Sequence, residues 1–142
     1  LGDLEERERQ LVIDIQTDLY IAMAELATLD ENRHKLEPGK TQVTEEMVTA
    51  LEAQIGHYYE GFDMPTEFVI PGSGATSGLF DFARTVVRRA EREAVALGQT
   101  GEVIRYLNRL SDVLWTLARW SEAESIRARE QRVTKEQRNE GK

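Results

Sequence analysis

Four arginines crowd into one short stretch of an otherwise acidic chain, Arg84-Thr-Val-Val-Arg88-Arg89-Ala-Glu91-Arg92. Each guanidinium carries a permanent charge and a rigid fork of donors that matches phosphate oxygens, so a row of them could clamp a polyphosphate. At 100° per residue, Arg84, Arg88 and Arg92 form a stripe flanking the apolar face of a helix. The stripe reads equally as a solvated face with pairs such as Arg88–Glu91, and spacing alone does not decide between the two. Further along, Asn108 and Asp112 lie one turn apart, interleaved with Arg105 and Arg109. They could recognise a base, a ribose or a metal-bound phosphate, or simply supply an exposed polar edge. Phe68, in EFVIPGSG, could form an apolar wall of a ligand pocket or anchor a loop.

Other patterns lead nowhere. Glu31-Asn32-Arg33-His34 has the Glu-x-x-His spacing of di-iron bundles, but it falls in a predicted loop without the second copy and extra glutamates such a site needs. His57 has no neighbouring nucleophile or second histidine and reads as helix-end packing. No GxxxxGK[ST] or GxGxxG phosphate loop is present. With two histidines and no cysteine, no resident metal site, disulfide or thiolate chemistry is expected.

The elements that must position these residues are helices. A first is predicted from about Asp3, as cap, to Leu29, with Leu4, Leu11, Ile15, Leu19, Ala22 and Leu26 on one face. DENRHKLEPGKTQ has no periodicity and reads as a loop. Thr44 followed by Glu45 and Glu46 starts a second helix, with Met47, Leu51, Ile55 and Tyr58 on its apolar face and an end near Gly61. FVI, bracketed by Pro65 and Pro71-Gly72, is too short to imply a sheet and reads as ordered loop. Thr76 or Ser77 caps a third helix reaching Leu97, with Leu79, Ala83, Val86, Val87, Ala90 and Ala94 expected inside and Gly98 as its stop. A fourth starts near Glu102 with Val103, Leu107, Leu110, Leu114 and Leu117 on its apolar face. The expected fold is an all-α, up-down helical bundle: one domain over residues 1–120, then a polar tail over 121–142 that is a solvated helix, a partner-contacting extension or disorder.

At 142 residues, 40% hydrophobic and 31% charged, the chain has the make-up of one ordinary globular domain. Its net charge of -8 argues against a general nucleic-acid binder, which needs a broad basic surface to displace counterions. No apolar run suffices to cross a bilayer and the charged start LGDLEERERQ is no secretory signal, so neither membrane nor nucleic acid is an expected partner and a cytoplasmic location is expected.

Taken in order, FVIPG, ARTVVRRAER and YLNRLSD resemble the PduO-type ATP:cob(I)alamin adenosyltransferases, and IQTDL with ELAT echoes the family in the first helix. The likeness runs over roughly residues 11 to 118. It implies a homotrimer of helical bundles, five helices each in the family and four visible here, with active sites between subunits where ATP and a corrinoid meet. The implied reaction is attack of Co(I) on the 5′-carbon of ATP, with magnesium accompanying the nucleotide, to give adenosylcobalamin and triphosphate. A departing triphosphate needs fixed positive charge in the transition state, which arginines supply.

By the same resemblance Arg88 contacts the phosphates, Arg84 bridges to an acidic residue of a neighbouring subunit, and Asn108 bonds the nucleotide. Arg89, Glu91, Arg92 and Asp112 orient them on the ATP side. Phe68 lies against the lower face of the corrin, excluding an axial ligand and easing reduction of Co(II). The family's TxTGDxGxT nucleotide loop and acidic first helix have no counterpart in these 142 residues, which begin at Leu1. A polypeptide lacking both is expected to fold and trimerise without catalysing the transfer. Ser73 replaces a glycine usual in the family, with an expected loss of backbone freedom. The alternative is a non-catalytic bundle that binds corrinoid or nucleotide, or serves as a scaffold.

Overall fold

A computed structural model describes the backbone of residues 4–140, and beyond residue 124 the side chains of 126, 130–132 and 135. The described residues form four α-helices: α1 (Glu6–Leu26), α2 (Glu45–Gly61), α3 (Ala75–Ala96) and α4 (Glu102–Glu140). A 3-10 turn, Asp30–Lys35, follows α1, and no strand occurs among the described residues.

Helix α4 is the spine. Val103, Tyr106, Leu107, Leu110, Val113, Leu114, Leu117 and Ala118 are all buried, at the alternating three-and-four spacing that keeps one seam inward. It packs chiefly on α3 and α2, and less on α1. Burying each such aliphatic side chain contributes on the order of 2 kcal/mol. At 1.5 Å per residue its 39 residues extend about 58 Å, beyond the length of its 22-residue partner α3. The stretch past Trp120 is therefore an unbroken continuation of the helix.

Helix α2 starts as expected, the Thr44 hydroxyl accepting from Met47 N at 3.4 Å while the Met47 sulfur faces Thr44 N at 3.5 Å. It buries Val48, Leu51 and Tyr58, the last edge-on to Trp120 of α4 with centroids 5.4 Å apart. Helix α1 buries the expected Leu11, Ile15 and Ala22, and on the same face it also buries two carboxylates, Glu8 and Glu25. It is shorter than predicted at both ends, with Glu5 at its N-cap, and the expected cap Asp3 lies outside the described residues. Between α1 and α2 the predicted loop is partly ordered by the 3-10 turn and by Glu37 O, which accepts from Lys40, Thr41 and Gln42 N.

Helix α3 faces the core differently from its predicted stripe. Ser77, Phe80 and Ala94 are buried and Ala83 and Val87 partly so, whereas Leu79, Phe82 and Val86 are exposed and Ala90 lies outside. Apolar residues occupy two sides of this helix, and the side carrying Phe80, Ala83 and Val87 faces the core. The helix begins at Ala75 rather than at a Thr76 or Ser77 cap. Ser77 instead sits in the first turn, its hydroxyl accepting from Gly74 N at 3.1 Å and donating to Gly74 O at 3.0 Å. The helix stops as predicted at Gly98, whose φ of 80° suits glycine. There Gln99 N donates to Ala94 O and Gly98 N to Val95 O, the paired bonds of a Schellman ending. Ser73 carries no positive φ, so the loop conformation at this position is one that serine adopts without strain.

Candidate functional site

The inward stripe of α3 explains how its arginines are graded. Each step of four residues advances 400°, 40° beyond a full turn, so a row of residues four apart winds away from the core. Arg84 is half-buried, the Arg88 side chain is 40% exposed, and Arg92 lies in the open. Arg89, about half a turn from the buried stripe, shares the outer face with Phe82 and Val86.

At the middle of the stripe three predicted residues meet. Arg88 Nη1 donates to Glu91 Oε2 at 2.9 Å, and Asn108 Nδ2, from α4, donates to Glu91 Oε1 at 3.0 Å. Glu91 is only 13% exposed and is thus held from both sides. The arrangement leaves the other donors of Arg88 without partners among the described residues, while its orientation is fixed. An anion arriving there meets a charge whose direction is already set, which is what makes such a contact strong. Asp112, one turn beyond Asn108, is occupied by Arg109 at 3.1 Å, and Arg109 also reaches Glu52 of α2 at 3.7 Å.

One turn earlier on α3, about 6 Å along the axis, lies a cavity of ≈ 520 Å³. Its walls are Pro65 and Phe68 from the loop before α3, Asp81 and Arg84 from α3, and Trp115 and Arg119 from α4. Phe68 is fully exposed, so it neither anchors the loop nor enters the core, and stands as an apolar surface at the cavity edge. Arg84 has a buried Nε without a hydrogen-bond partner. Behind it, Arg119 is 3% exposed, donates from Nη2 to Asp81 Oδ2 at 2.6 Å, places Nε 2.9 Å from Glu122 Oε2, and lies over the Trp115 ring at 5.9 Å.

The structure thus gathers Arg88, Glu91 and Asn108, sets Arg84 and Phe68 on one cavity, and leaves Arg89 and Arg92 exposed. Sequence reasoning missed Asp81, Trp115 and Arg119. A signal existed: Asn108, Asp112, Trp115 and Arg119 recur at four, three and four positions, continuing one edge of α4 past the predicted pair.

Fold and site together define a helical bundle with an oriented, partly unspent guanidinium between two antiparallel helices. The chain belongs to the cobalamin adenosyltransferase family, which matches residues 2–121. Among curated relatives, the corrinoid adenosyltransferase PduO of Salmonella typhimurium is 35% identical over 128 residues, covering 87% of this chain and 37% of that protein. The chain therefore spans little more than a third of that relative's length. Two solved variants of a PduO-type ATP:corrinoid adenosyltransferase from Lactobacillus reuteri share the fold, each covering 84% of this chain. One, with a phenylalanine changed to histidine and complexed with cobalamin and ATP, is 28% identical with a TM-score of 0.71 over 67% of its chain. The other, with an arginine changed to lysine and complexed with ATP, is 26% identical with a TM-score of 0.70 over 69%.

Proposed function

We propose that this chain is the helical-bundle part of an ATP:cob(I)alamin adenosyltransferase acting in the cytoplasm. The electron pair of Co(I) forms the bond to the 5′-carbon of ATP, the bond from that carbon to the α-phosphate oxygen breaks, and triphosphate leaves with the electrons. The observation that carries the reading is the Arg88–Glu91–Asn108 bracket, which holds a guanidinium ready for a polyphosphate one turn from a cavity edged by Phe68.

In this reading Arg88 stabilises charge building on the leaving triphosphate, Asn108 contacts the nucleotide as well as Glu91, and Phe68 lies against the lower face of the corrin. Arg84 meets an acidic residue of a neighbouring subunit. Arg89, Arg92 and Asp112 are outer members that orient the others. The two Lactobacillus variants change a phenylalanine and an arginine twenty positions apart, and Phe68 and Arg88 have the same separation, which supports the assignment of both. The exposed apolar Leu79, Phe82 and Val86 of α3 support a homotrimer with sites between subunits. In this reading magnesium accompanies the nucleotide, an ion that takes most of its ligands from phosphates and water, and the arginines act on the phosphates beside it.

The test is to supply ATP and reduced cobalamin to the full-length protein under strongly reducing conditions. Conversion to the adenosylcobalamin spectrum is expected. Binding of both ligands without conversion would replace the reading with a non-catalytic carrier.

A further inference from the structure

Acid and base three residues apart on a helix repeatedly pair in this molecule, as at Glu6–Arg9, Arg88–Glu91, Glu102–Arg105 and Arg109–Asp112. Asp81 and Arg84 have that spacing on α3 and border one cavity, with the acid on the N-terminal side, the better order for a helix pair. They do not pair. Asp81 is taken by the buried Arg119 of α4 at 2.6 Å, and Arg84, with its Nε buried and unbonded, forms no ion pair among the described residues.

We propose that Arg119 is a positioning residue: it occupies Asp81 and so keeps the Arg84 guanidinium unneutralised for a carboxylate from outside its own bundle. Arg119 suits this task because it is itself immobile, gripped by Asp81 and Glu122 and set against Trp115. An exposed lysine would exchange partners; a buried planar fork with two acceptors does not. The inference rests on the reading above, in which Arg84 meets a neighbouring subunit.

The test uses the full-length protein with Arg119→Gln, Asp81→Asn, the double substitution, and Arg84→Ala alone and combined with Arg119→Gln. Arg119→Gln releases Asp81, so the Arg84 Nε–H gains an acceptor and exchanges more slowly by nuclear magnetic resonance. Its kcat/KM falls on the order of tenfold, and adding Arg84→Ala to it costs little more. Asp81→Asn, with no charge to offer Arg84, stays within about threefold of the parent, and the double substitution recovers most of the Arg119→Gln loss.

A pair that served only the fold would behave otherwise, because breaking it from either side strands a buried charge. Equal losses in Asp81→Asn and Arg119→Gln overturn the proposal, and so does an unchanged Arg84 Nε–H in Arg119→Gln. If Arg119→Gln alone does not fold, the double substitution is compared with Asp81→Asn. Equal activity is expected; a tenfold deficit in the double would assign Arg119 a role that does not pass through Asp81 and overturns the idea. Should Arg84→Ala in the parent keep full activity and assembly, the neighbouring-carboxylate reading fails, while the Nε–H measurement still decides whether Arg119 withholds Asp81.

Discussion

Carboxylates are buried on both sides of α4, and they are used in opposite ways. On the α1 side, Glu8 accepts from the Tyr58 hydroxyl at 2.6 Å, Glu25 accepts from Val43 N at 2.7 Å, and Asp18 accepts from the Tyr106 hydroxyl at 2.9 Å. The phenols that donate to Glu8 and Asp18 are neutral and have little else to give; Glu25 also takes Arg33 Nη2 at 3.4 Å, a guanidinium shared with Gln99. A phenol or a backbone N–H bonded to a carboxylate is finished, so these contacts staple α1 to its neighbours. On the α3 side, the partners of Glu91 and Asp81 are arginines, Arg88 and Arg119. A guanidinium has five donors, and one carboxylate does not exhaust it. The comparison teaches that a buried acid closes a seam when its donors have nothing left to give, and orients a usable charge where, as at Arg88, the donor is a part-exposed arginine with further N–H groups.

The contrast breaks most visibly at Arg88. Arg88→Ala removes a contact made to the leaving group, and kcat/KM is expected to fall by 10²–10³, the scale of losing one preorganised donor. Its melting temperature should hardly move, because a half-exposed pair is worth about 0–1 kcal/mol. A large drop in stability with activity intact in the folded fraction would place Arg88 among the staples.

Tyr58→Phe should do the reverse. It strips a hydrogen bond from a carboxylate that is 2% exposed and whose other oxygen already lacks a partner, at an expected cost of about 2 kcal/mol. Urea denaturation would register that loss, while turnover of the folded protein stays near the parent. A stability unchanged by Tyr58→Phe would deny α1 its staple.

The smallest effect belongs to Asp18. Burial pushes its carboxyl above the usual value, the Tyr106 hydroxyl draws it partly back, and Asp14 adds to the rise. The folded chain therefore holds a proton at a pH where the unfolded chain has lost it, and stability falls as pH rises through the window between the two values. Asp18→Asn can still accept from Tyr106 and escapes the penalty. Relative to the parent it should gain no more than about 1 kcal/mol above that window, solvent screening having reduced the effect, with the gap closing at lower pH. Thermal melts across the acid range would reveal a gap of the opposite sign if the carboxylate is net favourable.

How far the sequence speaks depends on whether a signal is local. The α4 seam and the Thr44 start follow from spacing, because large aliphatics occupy one face and a hydroxyl precedes two acids. The facing of α3 does not follow, since Leu79, Phe82 and Val86 rival Phe80, Ala83 and Val87 and periodicity cannot rank two apolar sides. The Arg88–Glu91 contact is local and legible, whereas its third member, Asn108, is 17 positions away in sequence and joined it only through resemblance. Asp81 and Arg119, 38 positions apart, needed the folded hairpin to be seen. So did the acids Glu8 and Glu25, whose partners lie on other elements.

The tight bend at Gly98 works like the slider of a zip. Glu91 stands eight positions before Gln99 and Asn108 eight after Thr100; Asp81 stands eighteen before and Arg119 nineteen after. Both cross-links are thus teeth of a single track whose alignment is decided at its closed end. One residue added or removed within either helix, between the bend and a tooth, would turn the teeth beyond it by 100° and part them. The bend lies far from any chemistry, yet the register of both arms is counted from it.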